Sequence, residues 1–220
     1  MLDKNEIQHV VARRIAKEIK DGDVVNLGVG IPTFVPIYLP KDIHVITHSE
    51  NGILGFGPAP KKGEEHPDLT NAGGGFITEV KGTCYFDSAL SFSIIRGGHL
   101  DLTVLGALQV DQEGNIANWM IPGKFVPGIG GAMDLCAGAK KIIAAMTHTD
   151  KDGGPKILKK CTLPLTGPNC VDLIVTEMAV IEVTPKGLVV KEVASWTNLE
   201  DVKKLTEADL IIPSKIGSFC

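Results

Sequence analysis

The sequence predicts an α/β protein: a three-layer open sheet, mostly parallel, with a mixed C-terminal edge. Segments with helical apolar spacing alternate with short apolar runs of strand character, the pattern of helices covering a sheet. The run Asp101–Val110 (DLTVLGALQV) is strongly apolar throughout, as strands of parallel sheets buried on both faces are. Near the C-terminus, Ala179–Val183 and Leu188–Val193 flank the turn Thr184–Gly187, a hairpin signal that makes this edge antiparallel.

Taken in order, Ile7, Val10, Val11, Ile15 and Ile19 fall at helical spacing, which predicts an amphipathic first helix stopping near Asp21-Gly22. Its basic residues Arg13, Arg14, Lys17 and Lys20 read as a solvated face. A short strand, Val24–Leu27, breaks at Gly28-Val29-Gly30, and Pro32 suits the first turn of a following helix. The Gly-x-Gly pair lacks the third glycine of a dinucleotide fingerprint, Thr33 standing there, and no ribose-binding acid follows. What it offers is a strand-to-helix turn where a ligand can approach the backbone closely. Ile43–Thr47 is a strand, Lys61–Leu69 a polar loop, Asn71–Gly75 a glycine turn and Phe76–Val80 a further strand. Asp87–Ile95 is a helix closed by Arg96-Gly97-Gly98. The segment Ile116–Leu135 carries four glycines (Gly123, Gly128, Gly130, Gly131) and leads into a helix at Ala132–Gly138. Clustered backbone N–H groups there suit a negative charge, and a packed glycine turn fits equally well. Lys141–Met146 and Val171–Val175 are strands, Leu163–Pro168 is a rigid loop, and Thr197 with Glu200 forms a capping box opening a helix to about Ala208. Leu210–Ile212 is a last edge strand. With no repeat or linker, residues 1–220 read as one domain.

Composition narrows the function classes. A net charge of -4 without a Lys/Arg cluster argues against a nucleic-acid partner, and 5% aromatic content leaves little for stacking bases or sugars. Five widely spaced cysteines without a CxxC pattern fit reduced thiols rather than a disulfide framework or a metal site. No signal-like segment and no apolar run of about 18–20 residues is present, so the expectation is a soluble, cytoplasmic protein without a membrane partner. His9, His44, His66, His99 and His148 lack second ligands at metal spacing and read as structural, and no metal is expected.

The chemistry concentrates in Ile43–Pro60, IHVITHSENGILGFGPAP. Glu50 sits in the tight turn Ser49-Glu50-Asn51-Gly52 between two apolar segments. An ordinary turn would do as well with Asn or Gly, and an unpaired carboxylate near a core is costly. His48, two residues earlier, is placed to tune it, although strand alternation accounts for it more simply. In open parallel sheets ligands bind beyond the carboxyl ends of the strands. Glu50 and the Gly28–Gly30 turn therefore share a rim if their strands are neighbours. A carboxylate beside backbone N–H donors serves either as a general base or as a nucleophile in acyl transfer. Ile53, Leu54 and Phe56 would desolvate it, and glycine N–H groups would hold an oxyanion. Residue chemistry alone leaves base and nucleophile open.

The motifs SENGILGFGP, NLGVGIPT, IRGGHLDLTVLGALQV, IANWMIPGKFVPGIGGAMDL and KCTLPLTG, taken together, resemble the β chain of family I, or 3-oxoacid, coenzyme A transferases. The resemblance runs from the first helix to about Thr206 and is strongest to the two-chain acetoacetate group. It implies a ping-pong reaction in which Glu50 attacks an acyl-CoA thioester and passes through a glutamyl–CoA thioester. It also implies coenzyme A as a substrate carrier rather than a resident cofactor, contacted by Asn26, Asn118, Gly131 and Ala132. Gly130 and Gly131 are candidates for oxyanion or pantetheine contacts, and Gly28, Gly30 and Asn51 complete the expected coenzyme A set. Animal members carry a lysine where this chain has Gly74, so a cationic contact to the coenzyme A phosphates is either missing or supplied elsewhere, for instance by Lys81 or Lys124. The resemblance further implies an α partner in an α2β2 assembly. The rival readings are a thioester hydrolase using the same glutamate, a sugar-phosphate isomerase of similar fold, and a non-catalytic scaffold protein. The acid preferred, among acetate, butyrate, acetoacetate and succinate, is not fixed by the sequence.

Overall fold

The computed structural model describes residues 2–124, 126 and 128–220. A first helix, α1 (Lys4–Ala16), is followed by β1 (Val24–Leu27), a 3-10 helix (Ile31–Tyr38), β2 (Ile46–Ser49), β3 (Ile53–Phe56), β4 (Glu79–Tyr85) and α2 (Ser88–Arg96). Next come β5 (Leu102–Gly106), β6 (Gln109–Asp111), β7 (Ile116–Ala117), α3 (Ala132–Gly138), β8 (Ile142–Ala145) and β9 (Ile157–Leu158). The C-terminal part contributes β10 (Leu173–Val175), β11 (Ala179–Thr184), β12 (Gly187–Ala194), α4 (Leu199–Lys204), β13 (Leu210–Ile211) and β14 (Gly217–Phe219).

The main sheet runs β13-β12-β11-β10-β8-β5-β1-β2-β3-β4, with β14 also paired to β12. Its centre, β10-β8-β5-β1-β2, is parallel throughout. β11 is antiparallel to β12, as the hairpin signal predicts, and also to β10. The opposite edge is mixed as well, because β2, β3 and β4 form an antiparallel meander.

Alternation along the central strands builds two cores. Val25, Val104, Ile143, Ala145 and Val175 face α1 and the 3-10 helix, where Val11, Ile15 and Val35 are fully buried. Leu105, Ile142, Ala144 and Ile174 face α2 and α3 through Ile95 and Leu135. This is the three-layer arrangement expected from strands apolar on both faces.

Several local readings change. The first helix ends at Ala16 with Lys17 as its cap, and Gly22 lies in a later turn at φ 83°. Arg14 is not on a solvated face: it is buried, its guanidinium forking onto Glu192 of β12 at 2.7 and 2.8 Å and onto Glu18 at 2.7 Å. These partners keep the buried guanidinium charged. The run Asp101–Val110 is two strands in two sheets, since the chain leaves the main sheet after Gly106 and β6 joins a small sheet β7-β6-β9. The strand expected at Phe76–Val80 starts only at Glu79, and the cap of α4 is Asn198, whose side chain accepts from Asp201 N–H, rather than Thr197. α2 closes at Arg96-Gly97 as read from the sequence, with Asp87 as its N-cap. No helix of the described residues is long and apolar enough to cross a membrane.

Candidate active site

The sheet order puts β1 between β2, which follows it in the chain, and β5, which arrives later. The chain thus turns one way after β1 and returns on the other side, the switch point at which open α/β sheets place a ligand beyond the carboxyl ends of their strands. The parallel register sets Asn26 beside His48 and beside Thr103. The Gly28–Gly30 turn and Glu50 accordingly leave the same rim, as expected for neighbouring strands.

Glu50 occupies the second position of the β2–β3 hairpin turn, closed by Gly52 N–H donating to the Ser49 carbonyl at 3.0 Å. Gly52 is required here: its φ is 114°, and a Cβ would sit 2.1 Å from the Phe86 carbonyl oxygen. The turn is tied to the Asn71–Gly75 loop, because Asn51 Nδ2 donates to the Thr70 carbonyl and Ala72 N–H donates to Ser49 Oγ. Asn51 therefore braces the turn with its side-chain amide.

Below the turn lies a buried polar chain. Asn26 Nδ2 donates to Glu50 Oε2 at 2.9 Å and lies 3.3 Å from both the His48 carbonyl and His48 Nδ1. His48 Nε2 meets Ser91 Oγ of α2 at 3.1 Å, and the ring stacks on Phe86. Asn26, His48 and Ser91 are all buried, whereas Glu50 is half-exposed at the mouth. Burial lowers the His48 pKa below its ordinary value, and the Glu50 charge offsets part of that.

On the other side of the carboxylate, Gly131 abuts it. A Cβ on Gly131 would lie 3.2 Å from Glu50 Cγ, 3.4 Å from Oε1 and 3.4 Å from the Phe92 ring. Ala132 begins α3 directly behind and is buried. Gly130 precedes it at φ 55°, a left-handed backbone that suits glycine. The Gly128–Ala132 loop thus meets Glu50 through Gly131. Gly28 comes close to β5: its N–H donates to the Val104 carbonyl, and a Cβ would lie 3.1 Å from that oxygen. Gly30, at φ 87°, starts the 3-10 helix in open space. Asn118 follows β7 and is fixed by Thr166, whose hydroxyl donates to Asn118 Oδ1 at 2.6 Å and accepts from its N–H.

A family model described as coenzyme A transferase matches residues 9–205. The chain belongs to the coenzyme A transferase family. It is 52% identical over 208 residues to the β chain of the acetate CoA-transferase of Escherichia coli K12, covering 94% of this chain and 95% of that one. It is 52% identical over 202 residues to the β chain of a probable coenzyme A transferase of Bacillus subtilis, covering 92% and 93%. A rat mitochondrial succinyl-CoA:3-ketoacid coenzyme A transferase is 52% identical over 198 residues, which are 89% of this chain but 38% of the rat protein. Among solved structures, an acyl-CoA transferase apoenzyme from E. coli O157:H7 superposes with a TM-score of 0.76 at 24% identity, and the chain spans 44% of it. Glutaconate coenzyme A-transferase from Acidaminococcus fermentans gives 0.70 at 22% identity over 97% of this chain and 88% of that one. At these identities the structures speak for the shared fold.

Of the site residues expected from the sequence, Glu50 is met by Asn26 through a hydrogen bond and by Gly131 through close approach on its other side. Gly28 and Gly30 lie on the same rim, and Asn118 is held on the small sheet beyond β5. Gly74, at φ 78°, ends the Asn71 turn in open space, where a lysine would be strained. Lys81 and Lys124 are both exposed. Sequence reasoning missed Ser91, Phe92, Thr103 and Thr166. They carry no motif of their own and meet the site only through sheet register and helix packing. Among the described residues no three His, Cys, Asp or Glu side chains are grouped to hold a metal ion. His148 fits its structural reading: it is fully buried between Thr176 and Thr206 hydroxyls.

Proposed function

We propose that this chain is the β half of a coenzyme A transferase that moves coenzyme A between an acyl-CoA and a free carboxylic acid, with Glu50 as the nucleophile. The observation that carries the reading is the Glu50 carboxylate itself. It is gripped at Oε2 by Asn26 and left clear at Oε1 by a glycine rather than a side chain.

A Glu50 oxygen attacks the thioester carbonyl carbon, the C–S bond breaks, and coenzyme A leaves as a thiolate from a mixed acyl–glutamyl anhydride. The thiolate attacks the Glu50 carbonyl carbon, the anhydride C–O bond breaks, and the first acid departs as a carboxylate. The glutamyl–CoA thioester then reacts with a second carboxylate in the reverse order. No proton is gained or lost overall, and the thioester bond energy is kept. Through the cycle the Asn26 N–H would donate first to the carboxylate and then to the thioester carbonyl oxygen, and the half-buried setting would strip water from the nucleophile.

An α partner completes the site in this reading. Two-chain names among the relatives, and a rat protein more than twice as long as the matched segment, support it. Acetate and 3-oxoacids such as acetoacetate are the favoured acids on the same names, and an α2β2 assembly acting in the cytoplasm is the simplest form. The test is to co-express the α and β chains, incubate with acetoacetyl-CoA, reduce with borohydride and map the modified peptide. Modification of Glu50, absent from Glu50→Ala, supports the proposal; an active Glu50→Ala enzyme would overturn it. Release of coenzyme A at the transfer rate without an acceptor acid would instead indicate a hydrolase.

A further inference from the structure

The buried chain behind Glu50 fixes more than a position. We infer that His48 is a positioning residue which must be the neutral Nε2–H imidazole, its bare Nδ1 keeping the Asn26 carboxamide turned toward Glu50. The inference rests on Glu50 being the attacking carboxylate.

Asn26 Nδ2 faces Glu50 Oε2 at 2.9 Å and the His48 carbonyl at 3.3 Å. Both of these oxygens only accept, so the amide must present its nitrogen to them, and its orientation follows from its partners. His48 Nδ1 lies 3.3 Å from the same nitrogen. An amide N–H2 cannot accept, so the ring nitrogen opposite it carries a lone pair. The single ring proton then sits on Nε2 and is donated to Ser91 Oγ at 3.1 Å. Asn26 Oδ1 is left to Thr103 Oγ1 at 3.5 Å, a long contact that does little to hold the amide by itself. Besides Glu50, His48 thus holds the carboxamide nitrogen, through its ring and, at the same 3.3 Å, through its main-chain carbonyl.

Protonating His48 would aim an Nδ1–H at the Asn26 N–H2. Relief requires the carboxamide to turn over, which sets Oδ1 against Glu50 Oε2 and removes the donor from the nucleophile. The ring is enclosed by Asn26 of β1, Ser91 of α2, Phe86 before α2, and the β2–β3 turn. Of the charged groups on these elements, Glu50 alone acts on the ring, raising its pKa against the larger lowering by burial. Protonation of His48 therefore weakens the site in acid by withdrawing the Asn26 donor from the nucleophile.

The experiment uses the reconstituted enzyme with its α partner. On the acid side, log kcat/KM of the parent falls more steeply with pH than that of His48→Gln, which keeps a polar side chain but has no proton to gain. His48→Leu lowers kcat by about ten- to hundredfold, the range for loss of a hydrogen bond to a charged group, with the KM for acyl-CoA unchanged. Independently, nitrogen NMR of the parent labelled at histidine shows the unprotonated ring nitrogen of His48 at Nδ1. An equal acid-side slope in the parent and in His48→Gln, or an Nδ1–H tautomer, overturns the role of His48. If Glu50→Ala is inactive while the slopes do not differ, only the role of His48 falls; if Glu50→Ala is active, the nucleophile assignment itself falls.

Discussion

Asn26 and Glu50 are 24 residues apart in the chain, and the Asn26 amide donates to the Glu50 carboxylate at 2.9 Å. The contact exists because the parallel register of β1 and β2 sets Asn26 beside His48, two residues before Glu50. Hydrogen bonds to charged groups contribute about 1.5–3 kcal/mol. Asn26→Leu is expected to lower kcat/KM by about ten- to hundredfold, read by steady-state transfer kinetics alongside a melting curve. Asn26→Asp should move the acid limb of activity upward, because a second carboxylate beside Glu50 favours its protonated form.

Gly131→Ala tests the open side of the carboxylate. The added methyl would lie 3.2 Å from Glu50 Cγ and 3.4 Å from Phe92, so the Glu50 side chain must shift by a few tenths of an ångström. Backbone φ at Gly131 is -83°, which alanine adopts freely. The expected outcome is a clear fall in kcat with the melting temperature nearly unchanged. Unaltered kcat would show that the approach to Oε1 is not used.

Gly52→Ala is a stability test of the turn that presents Glu50. At φ 114° and 2.1 Å from the Phe86 carbonyl, a Cβ brings both backbone strain and a clash with main chain. Strain of this kind costs about 1–3 kcal/mol before any clash is counted. For a chain of this size a loss of about 2 kcal/mol lowers the melting temperature by roughly 4–8 °C, measurable by calorimetry.

His148 predicts an acid limb of stability unrelated to catalysis. Burial between two threonine hydroxyls lowers its pKa to about 4, against an ordinary value of 6.5. The unfolded chain thus binds a proton more readily than the folded one between these values. Stability is unaffected above pH 6.5 and is lost progressively as pH falls toward about 4, by about 3 kcal/mol at 1.36 kcal/mol per pH unit. Urea unfolding of the parent and of His148→Gln at pH 7 and pH 4.5 checks this, because the carboxylate contributions cancel in the comparison. Equal losses in both proteins would refute it.

Local signals were legible where one residue type admits one conformation. Asp87 and Gly97 bound α2, the turn Thr184–Gly187 makes the β11–β12 hairpin, and the tetrad Ser49–Gly52 is a turn with its carboxylate at the mouth. The Arg14–Glu192 pair spans 178 residues, and nothing near either residue announces the other. Likewise Leu102–Gly106 and Gln109–Asp111 read as one apolar run, because periodicity cannot tell which sheet a strand joins.

The sequence by itself determined the α/β class, the turn that exposes Glu50 and, through its ordered motifs, the resemblance to coenzyme A transferases. These follow from local spacing, glycine conformations and residue chemistry, all short in range. Only the tertiary structure decided that Asn26, His48 and Ser91 stand in line behind Glu50 and that Gly131, with no side chain, lies at its other side. Those contacts depend on strand register and on how α2 and α3 pack over the sheet. Both are fixed by burial summed over the whole core rather than by any segment within it.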